Sequence, residues 1–120
     1  MKKSDILGEF EQTVLLCVLR LGEDAYGVTI RREILVCAQR DVSPGALYTT
    51  LDRLEAKGNL VSREGEATAS RGGRAKRYYS ATKQGRKRLA DAQQAFQRLL
   101  VGVLLRKDTS WPNDACQSGS

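Results

Sequence analysis

The pattern of apolar and polar positions is most complete between Ser43 and Gly58, where it predicts an amphipathic helix. Three leucines recur at the i, i+4, i+7 spacing that aligns side chains on one helix face: Leu47, Leu51 and Leu54. Ser43 is a favourable N-cap, and Pro44 suits the first helical position because no N–H is needed there. Lys57 favours the negative end of the helix dipole, and Gly58 can adopt the left-handed backbone that ends a helix. We therefore expect a helix from Pro44 to Lys57 that packs through its leucine face.

The opposite face of this helix is small and polar. It carries Gly45, Thr49, Asp52 and Ala56, with Tyr48 and Arg53 at its flanks. The donors of Tyr48, Thr49 and Arg53 are able to read a surface such as the major groove of DNA. For the isolated segment, an ordinary amphipathic surface helix is the commoner interpretation. The segments that follow in the chain favour the nucleic-acid interpretation instead.

Two further helices are predicted before this one. From Asp5 to Leu21 the apolar residues follow a helical period, and Gly22 ends the segment. Asp24 then offers an N-cap for a second helix, which extends from Ala25 to Arg40. Its predicted apolar positions are Tyr26, Val28, Ile30, Ile34 and Leu35. Both helices are expected to supply core residues.

A basic hairpin is predicted after Gly58. Leu60 to Glu64 and Ala75 to Ser80 fit short strands, and the segment between them is rich in Gly, Ser, Ala and Thr. Three helices followed by a basic hairpin is the order of a winged helix-turn-helix, whose third helix enters the major groove while the wing follows the flanking backbone. The predicted wing contacts are Arg71, Gly73, Arg74, Lys76 and Arg77, with glycine allowing close backbone approach. The alternative is a disordered tip whose charges only keep the protein soluble.

The last predicted helix extends from Thr82 to Lys107 and is the longest. Its apolar stripe comprises Leu89, Ala92, Phe96, Leu99, Leu100, Val103 and Leu104. A helix of this length overshoots a small domain, so we expect its surplus apolar face to be buried against a second copy of the chain. The alternative is a helix folded back on its own domain. Residues 108–120 are polar apart from Trp111 and are predicted to form a loose tail.

The location of the charges narrows the class of partner. The chain of 120 residues is long enough for one domain and has a net charge of +6. Residues 62–88 carry nine Lys and Arg against two acidic residues, whereas residues 1–61 carry eight against nine. A basic patch of this kind indicates phosphate, nucleic acid or an acidic membrane surface. Because the sequence has no leader and no apolar run that could span a membrane, we expect a cytoplasmic protein with no membrane partner.

The sequence contains few residues that indicate catalysis or metal binding. The three cysteines are odd in number and widely spaced, and without any histidine they do not indicate a zinc or other metal site. Cys17 and Cys37 fall in apolar helical patterns and are expected to be small core residues. No nucleotide-binding glycine loop and no evident pair of catalytic carboxylates is present. We therefore predict no cofactor and no enzymatic activity.

Three motifs resemble the PadR family of bacterial transcriptional regulators: YGVTI at Tyr26 to Ile30, LYTTLDRLEAKGNL at Leu47 to Leu60, and GRAKRYYSATKQG at Gly73 to Gly85. The similarity covers about residues 7–107, and the single short C-terminal helix resembles the compact subfamily. The wing departs from the family pattern, because Ala75 replaces the usual proline and Ala81 replaces an aliphatic residue. These departures concern the detailed contacts of the wing rather than the fold.

The resemblance implies a winged helix with a C-terminal dimerisation helix, a fold that is mainly α with a small β-hairpin. We expect a winged helix-turn-helix over residues 5–81, a dimerisation helix over 82–107 and a flexible tail over 108–120. The predicted DNA-binding residues are Ser43, Pro44, Gly45, Ala46, Tyr48, Thr49, Arg53, Arg71, Gly73, Arg74, Lys76 and Arg77.

The resemblance also implies a function. Family members typically repress promoters, and some release DNA when a small aromatic or drug-like molecule binds. The expected protein is therefore a homodimeric repressor of a double-stranded inverted repeat, with an effector of this class that no residue in the chain identifies. The alternative is a winged-helix module for non-specific nucleic-acid or protein binding, which predicts no preference for a palindromic duplex.

Overall fold

The computed structural model describes residues 6–65 and 76–104. The helices are α1 (Glu9–Leu21), α2 (Gly27–Ala38), α3 (Pro44–Ala56) and α4 (Lys83–Leu104). A 3₁₀ turn at Gly22–Asp24 separates α1 from α2, and the hairpin strands are β1 (Leu60–Glu64) and β2 (Arg77–Ala81). This order confirms the predicted fold class, which is mainly helical with a small hairpin in a winged-helix arrangement.

Helix α1 begins at Glu9, later than the sequence predicted. The predicted start at Asp5 lies outside the described residues, and the residues just before Glu9 are not helical. Gly8 is the N-cap, since its backbone N–H donates to the Glu11 carboxylate at 2.8 Å. At the other end, Gly22 has a positive φ of 60° and ends α1 as predicted.

Helix α2 begins at Gly27, so the predicted N-cap at Asp24 is wrong. Tyr26 is extended instead and pairs with Tyr78 of β2. Thr29 supplies the capping interaction, since its hydroxyl accepts the Tyr26 N–H at 3.0 Å and donates to the Asp24 carbonyl at 2.5 Å. Pairing with the hairpin therefore delays the helix by two residues.

The core lies where α1, α2 and α3 pack together and against one face of the hairpin. Its large buried side chains include Val14, Leu15, Val18, Ile30, Ile34, Leu47, Leu51, Leu54, Leu60 and Tyr79. Burying each of them stabilises the fold by roughly 1.5–3 kcal/mol relative to exposure. All three leucines of the predicted α3 stripe belong to this set, so the opposite face of α3 points outward.

Helix α2 buries a narrower face than the sequence predicted. Ile30 and Ile34 are fully buried, whereas Val28 and Leu35 are 55% and 50% exposed. Packing against α1 and α3 uses the isoleucine face of α2. The predicted burial of Val28 and Leu35 is therefore wrong.

The two cysteines in the described ranges occupy different environments. Cys17 of α1 is buried as predicted, but Cys37 of α2 is exposed, so its predicted core position is wrong. Burial raises the pKa of the Cys17 thiol to about 11, and the nearby Glu33 carboxylate acts in the same direction. The Cys37 thiol lies 3.4 Å from the Glu33 carboxylate.

The hairpin has one buried face and one outward face. β1 and β2 pair antiparallel, with Arg63 opposite Tyr78. Because successive residues of a strand alternate between faces, Leu60 and Tyr79 enter the core while Arg63 and Tyr78 lie on the outer face. The outer face therefore carries the Arg63 cation.

The second strand leads directly into α4. β2 ends at Ala81, one residue later than predicted, and its predicted start at Ala75 lies outside the described residues. Thr82, where the predicted helix begins, caps the N-terminus of α4, since its hydroxyl accepts the Gly85 N–H at 2.9 Å. The predicted end of this helix at Lys107 lies outside the described residues.

The chain forms two compact units, Met1–Leu89 and Ala90–Ser120. In the first unit Leu89 is buried in the core, so it packs within the chain rather than in the predicted dimerisation stripe. In the second unit Phe96, Leu99 and Leu104 are 61%, 74% and 56% exposed. The other members of the predicted stripe are half-buried: Ala92, Leu100 and Val103. Within the described ranges, no helix is long and apolar enough to cross a membrane.

Candidate nucleic-acid interface

Helix α3 is fixed at both ends by the signals that predicted it. The Ser43 hydroxyl accepts the Ala46 N–H at 3.1 Å, and Pro44 occupies the first helical position. Lys57 is the C-cap, and Gly58 has a left-handed φ of 82°. The predicted bounds of this helix are confirmed to within one residue.

The turn between α2 and α3 sets the direction of α3 relative to α2. The Arg31 side chain of α2 donates from Nε to the Val42 carbonyl at 2.6 Å and lies 3.5 Å from the Asp41 carboxylate. Gln39 has a φ of 53°, in the left-handed region that residues other than glycine rarely adopt. A side chain of α2 therefore holds the turn that precedes the N-cap of α3.

The C-terminal end of α3 is tied to the hairpin and to α4 through the buried Asn59. The backbone N–H of Asn59 donates to the Leu54 carbonyl at 2.8 Å, and its carbonyl accepts the Thr82 N–H at 3.1 Å. Its side-chain Oδ1 accepts from Gln84 and Arg88 of α4 at 3.3 and 3.2 Å. A displacement of this one residue would therefore shift α3, β1 and the start of α4 together.

The outer face of α3 carries polar side chains that take no part in the packing of the described residues. Thr49 and Arg53 are exposed and make no side-chain hydrogen bond or ion pair with described residues. Asp52, also exposed, adds an acceptor, and nothing lies within 4 Å of the place that a Cβ of Gly45 would occupy. Because the other face is immobilised in the core, these groups are held at the fixed spacing that reading base edges requires.

Tyr48 is more constrained than its neighbours on α3. Its side chain is 44% exposed. Its ring packs against Gly27 of α2, where an added Cβ would overlap the hydroxyl and lie 2.6 Å from Cζ. Tyr48 therefore bridges the two helices and still offers part of its ring to a partner. The predicted DNA-binding residues at the start of α3 are all exposed: Ser43, Pro44, Gly45 and Ala46.

Of the predicted wing, the structure describes the base. Three predicted contacts lie outside the described residues: Arg71, Gly73 and Arg74. The Lys76 Nζ lies 4.2 Å from the centroid of the Tyr26 ring. Arg77 is exposed on the other face of β2 beside Tyr79. Burial raises the pKa of the Tyr79 hydroxyl, and the positive charge of Arg77 opposes this shift.

Sequence reasoning misses Arg63 of β1. Its guanidinium carbon lies 4.8 Å from the centroid of the Tyr78 ring on the outer face of the hairpin. Arg63 is identified by the register in which β1 pairs with β2. The sequence does not determine this register, because the segment that connects the two strands is long. Further exposed cations follow at the start of α4: Lys83, Arg86 and Lys87.

The described residues thus present unengaged donors on α3, and cations on the hairpin base and at the start of α4. Cations of this kind neutralise phosphates, and donors on a rigid helix match the edges of bases. Among the described residues, no group of three or more His, Cys, Asp or Glu side chains could hold a metal ion. The chemistry that the arrangement supports is recognition of a duplex.

Comparisons with known proteins agree with this geometry. Residues 15–91 match the model of the transcriptional regulator PadR-like family. The chain is similar to the Transcriptional regulator Rv3488 of Mycobacterium tuberculosis, with 41% identity over 99 residues that cover 80% of this chain and 88% of that protein. It is also similar to the solved structure of a PadR-like transcription factor from Bacteroides fragilis, with a TM-score of 0.64, 27% identity, and coverage of 78% and 85% of the two chains. A PadR family transcriptional regulator from Eggerthella lenta gives a TM-score of 0.62, 26% identity, and coverage of 82% and 88%.

Proposed function

Because this chain belongs to the PadR-like family of transcriptional regulators, it is a DNA-binding regulator and not an enzyme, and we propose that it works as a dimeric, sequence-specific repressor. In this proposal α3 reads base edges in the major groove, and the hairpin contacts the flanking phosphates. Two chains related by a two-fold axis would present two copies of α3 to the half-sites of an inverted repeat. Occupation of such a site at a promoter would block transcription.

The observation that carries the proposal is the contrast between the two faces of α3. Leu47, Leu51 and Leu54 fix one face in the core. On the other face, the donors of Thr49 and Arg53 are exposed and make no hydrogen bond or ion pair with the described residues. Rigid donors without internal partners favour a partner with a fixed pattern of acceptors, as the major groove has.

The dimer in this proposal rests on the apolar residues of the second unit. Phe96, Leu99 and Leu104 expose more than half of their surface, and contiguous apolar exposure of this kind marks interaction sites. Changing Leu99 and Val103 together to Glu should therefore give a monomer in sedimentation at micromolar concentration. The matched control changes the exposed Gln94 to Glu and the exposed Arg98 to Gln, which alters the net charge by the same amount on the helix face opposite the apolar stripe and should leave a dimer. A wild-type chain that sediments as a monomer would refute this part.

Selection of bound duplexes from a random DNA pool tests sequence reading and symmetry together. The proposal predicts an inverted repeat whose half-sites are centred about 10 base pairs, or a multiple of that, apart. Enrichment without a common sequence would instead indicate a non-specific nucleic-acid binder. Repression is tested by transcription in vitro from a promoter that carries the selected site. The transcript should fall as protein is added, and a rise would contradict repression.

We also propose that a small aromatic or drug-like molecule releases the DNA, as the family resemblance implies. A groove of about 340 Å³ between α2 and α3, lined by Val28, Leu35 and Tyr48 among others, offers a site of suitable size. Because Tyr48 belongs to α3, a molecule in this groove would disturb the reading helix. Planar aromatic compounds should then release operator DNA from the wild type but not from a Leu35→Glu variant. Equal release from both proteins would contradict this site.

A further inference from the structure

The outer face of the hairpin base holds two cations over tyrosine rings. The Arg63 guanidinium carbon lies 4.8 Å from the Tyr78 ring centroid, and the Lys76 Nζ lies 4.2 Å from the Tyr26 ring centroid. Both distances are within the range of about 6 Å at which the negative ring face attracts a cation. The two rings also contact each other edge to face, with centroids 5.3 Å apart. The four side chains therefore form one continuous row.

Strand pairing places this row on the outer face. Arg63 of β1 lies opposite Tyr78 of β2, and Tyr26 bridges Tyr78 from the other side. Three extended segments thus bring their side chains to the same face, next to one another. The neighbouring Tyr79 points the other way and is buried in the core. Because Tyr79 is buried in the core, its neighbour Tyr78 and the rest of the row lie on the outer face.

The backbone of Gly65 supports the Tyr78 ring. Its N–H donates to the Lys76 carbonyl at 2.7 Å, which closes the base of the hairpin. A Cβ added at Gly65 would lie 3.0 Å from Cδ1 of Tyr78 and nearer still to Cε1, so the ring occupies the space that a side chain would fill. The half-buried Tyr78 ring therefore lies close to the Gly65 backbone, while Arg63 lies over the ring.

Both cations retain their hydrogen-bonding capacity. Neither the Arg63 side chain nor the Lys76 side chain makes a hydrogen bond or ion pair with the described residues. The acidic neighbour Glu64 lies on the opposite face of β1, since adjacent residues of a strand alternate. A ring face attracts a cation without accepting its N–H groups in the way a carboxylate does. The donors are thus left for an anion such as phosphate.

We propose that Arg63 binds DNA phosphate together with Lys76, and that Tyr78 and Tyr26 are positioning residues that hold these two cations in place for the backbone. An exposed arginine or lysine loses rotamer freedom when it binds an anion. A ring that already restricts the side chain reduces this loss. The proposal rests on the proposed use of the hairpin for backbone contacts, and it extends that use to a residue on β1 and to two uncharged side chains.

Salt titration separates the cations from the rings that position them. Arg63→Ala removes one phosphate contact, so the slope of log affinity against log salt should fall by about 0.9. Tyr78→Leu keeps both cations, so the salt slope should stay unchanged. The affinity for all duplexes should fall about two- to fivefold, which corresponds to the free energy of an exposed cation–ring contact. Tyr78→Phe keeps the ring and should bind like the wild type. Circular dichroism would verify that each variant is folded at the assay temperature.

A second variant tests the position of the ring without removing any of the four side chains. Gly65→Ala should displace the Tyr78 ring and reproduce the affinity loss of Tyr78→Leu, again with an unchanged salt slope. In NMR spectra of the wild type, the ring current should shift the Arg63 δ-methylene protons upfield. This shift should persist in Tyr78→Phe and be lost in Tyr78→Leu and in Gly65→Ala.

The outcomes distinguish this proposal from the proposed function. It is overturned if Arg63→Ala leaves the salt slope unchanged, or if Tyr78→Leu binds DNA as tightly as Tyr78→Phe. If the wild type shows no preference among duplexes but the slope and affinity changes occur as described, the sequence-specific function fails and the positioning role stands.

Discussion

Gly85 lies in the first turn of α4, with its backbone against that of Asn59. A Cβ added at Gly85 would lie 3.0 Å from the Asn59 carbonyl carbon and 3.1 Å from its Cα, and nearer still to the carbonyl oxygen. Replacing glycine by alanine inside a helix normally stabilises by about 0.5–1 kcal/mol. Here the added methyl meets backbone that cannot rotate away, and such overpacking costs about 1–3 kcal/mol. The close overlap favours the upper part of that range, so Gly85→Ala should destabilise the fold by about 1–2 kcal/mol net.

Thermal denaturation followed by circular dichroism measures this change. At about 4 °C per kcal/mol for a chain of this size, the midpoint for Gly85→Ala should fall by about 4–8 °C. Gly102→Ala is the matched control, because it makes the same change in the same helix where nothing lies within 4 Å of the Cβ position. Its midpoint should rise by about 2–4 °C when both variants are scanned at the same protein concentration. If Gly85→Ala were as stable as the wild type, or if both midpoints moved in the same direction, the inferred packing of α4 on Asn59 would be wrong.

Other predictions concern the reading helix and the cysteines. Ser43→Ala removes the N-cap hydrogen bond of α3 and should lower the free energy of unfolding in urea by about 1 kcal/mol; no change would mean that the cap does not stabilise α3. In a variant whose third cysteine, Cys116, is replaced by Ser, a thiol reagent at pH 8 should label the exposed Cys37 readily and the buried Cys17 only on unfolding, whereas equal rates would refute the burial of Cys17. Burial raises the Cys17 pKa from 9.0 to about 11, so the folded chain keeps this proton to higher pH than the unfolded chain does. The corresponding stability is present below pH 9 and should be lost as pH rises from 9 to 11. Cys17→Ala should lose less stability over that range.

Helix α3 could be predicted from the sequence because every signal that fixes it is local. Ser43, Pro44 and Gly58 act within a residue or two of the helix ends, and the leucine spacing alone assigns the buried face. The outward position of Thr49 and Arg53 follows from that spacing. The reading face of α3 could therefore be predicted without knowledge of any tertiary contact.

The start of α2 and its buried face depend on contacts that are remote in sequence. Tyr26 stays extended because it pairs with Tyr78, 52 positions later in the chain. Val28 and Leu35 have suitable periodicity for burial, but which face of a helix is covered depends on where α1 and α3 lie. Periodicity identifies apolar faces and does not show which of them has a neighbour.

Two further features could not be predicted from the sequence, for similar reasons. Arg63 becomes part of the basic surface only through the strand register that sets it opposite Tyr78. The apolar stripe of α4 is continuous in the sequence, yet Leu89 is a core residue while Leu99 is largely exposed. Helical periodicity could not show at which residue the stripe passes from the core to the exposed part of the helix.

The most direct test of the central claim, that α3 reads bases while the wing holds phosphates, compares Thr49→Ala with Lys76→Ala. Each variant is titrated against the selected operator and against a scrambled duplex of the same length at several salt concentrations. Thr49→Ala should weaken operator binding by about 1–3 kcal/mol and change binding to the scrambled duplex much less. Lys76→Ala should weaken both by the same factor and reduce the salt slope by about one. If Thr49→Ala instead lowered both affinities by the same factor, α3 would not read sequence, and the protein would be a non-specific nucleic-acid binder.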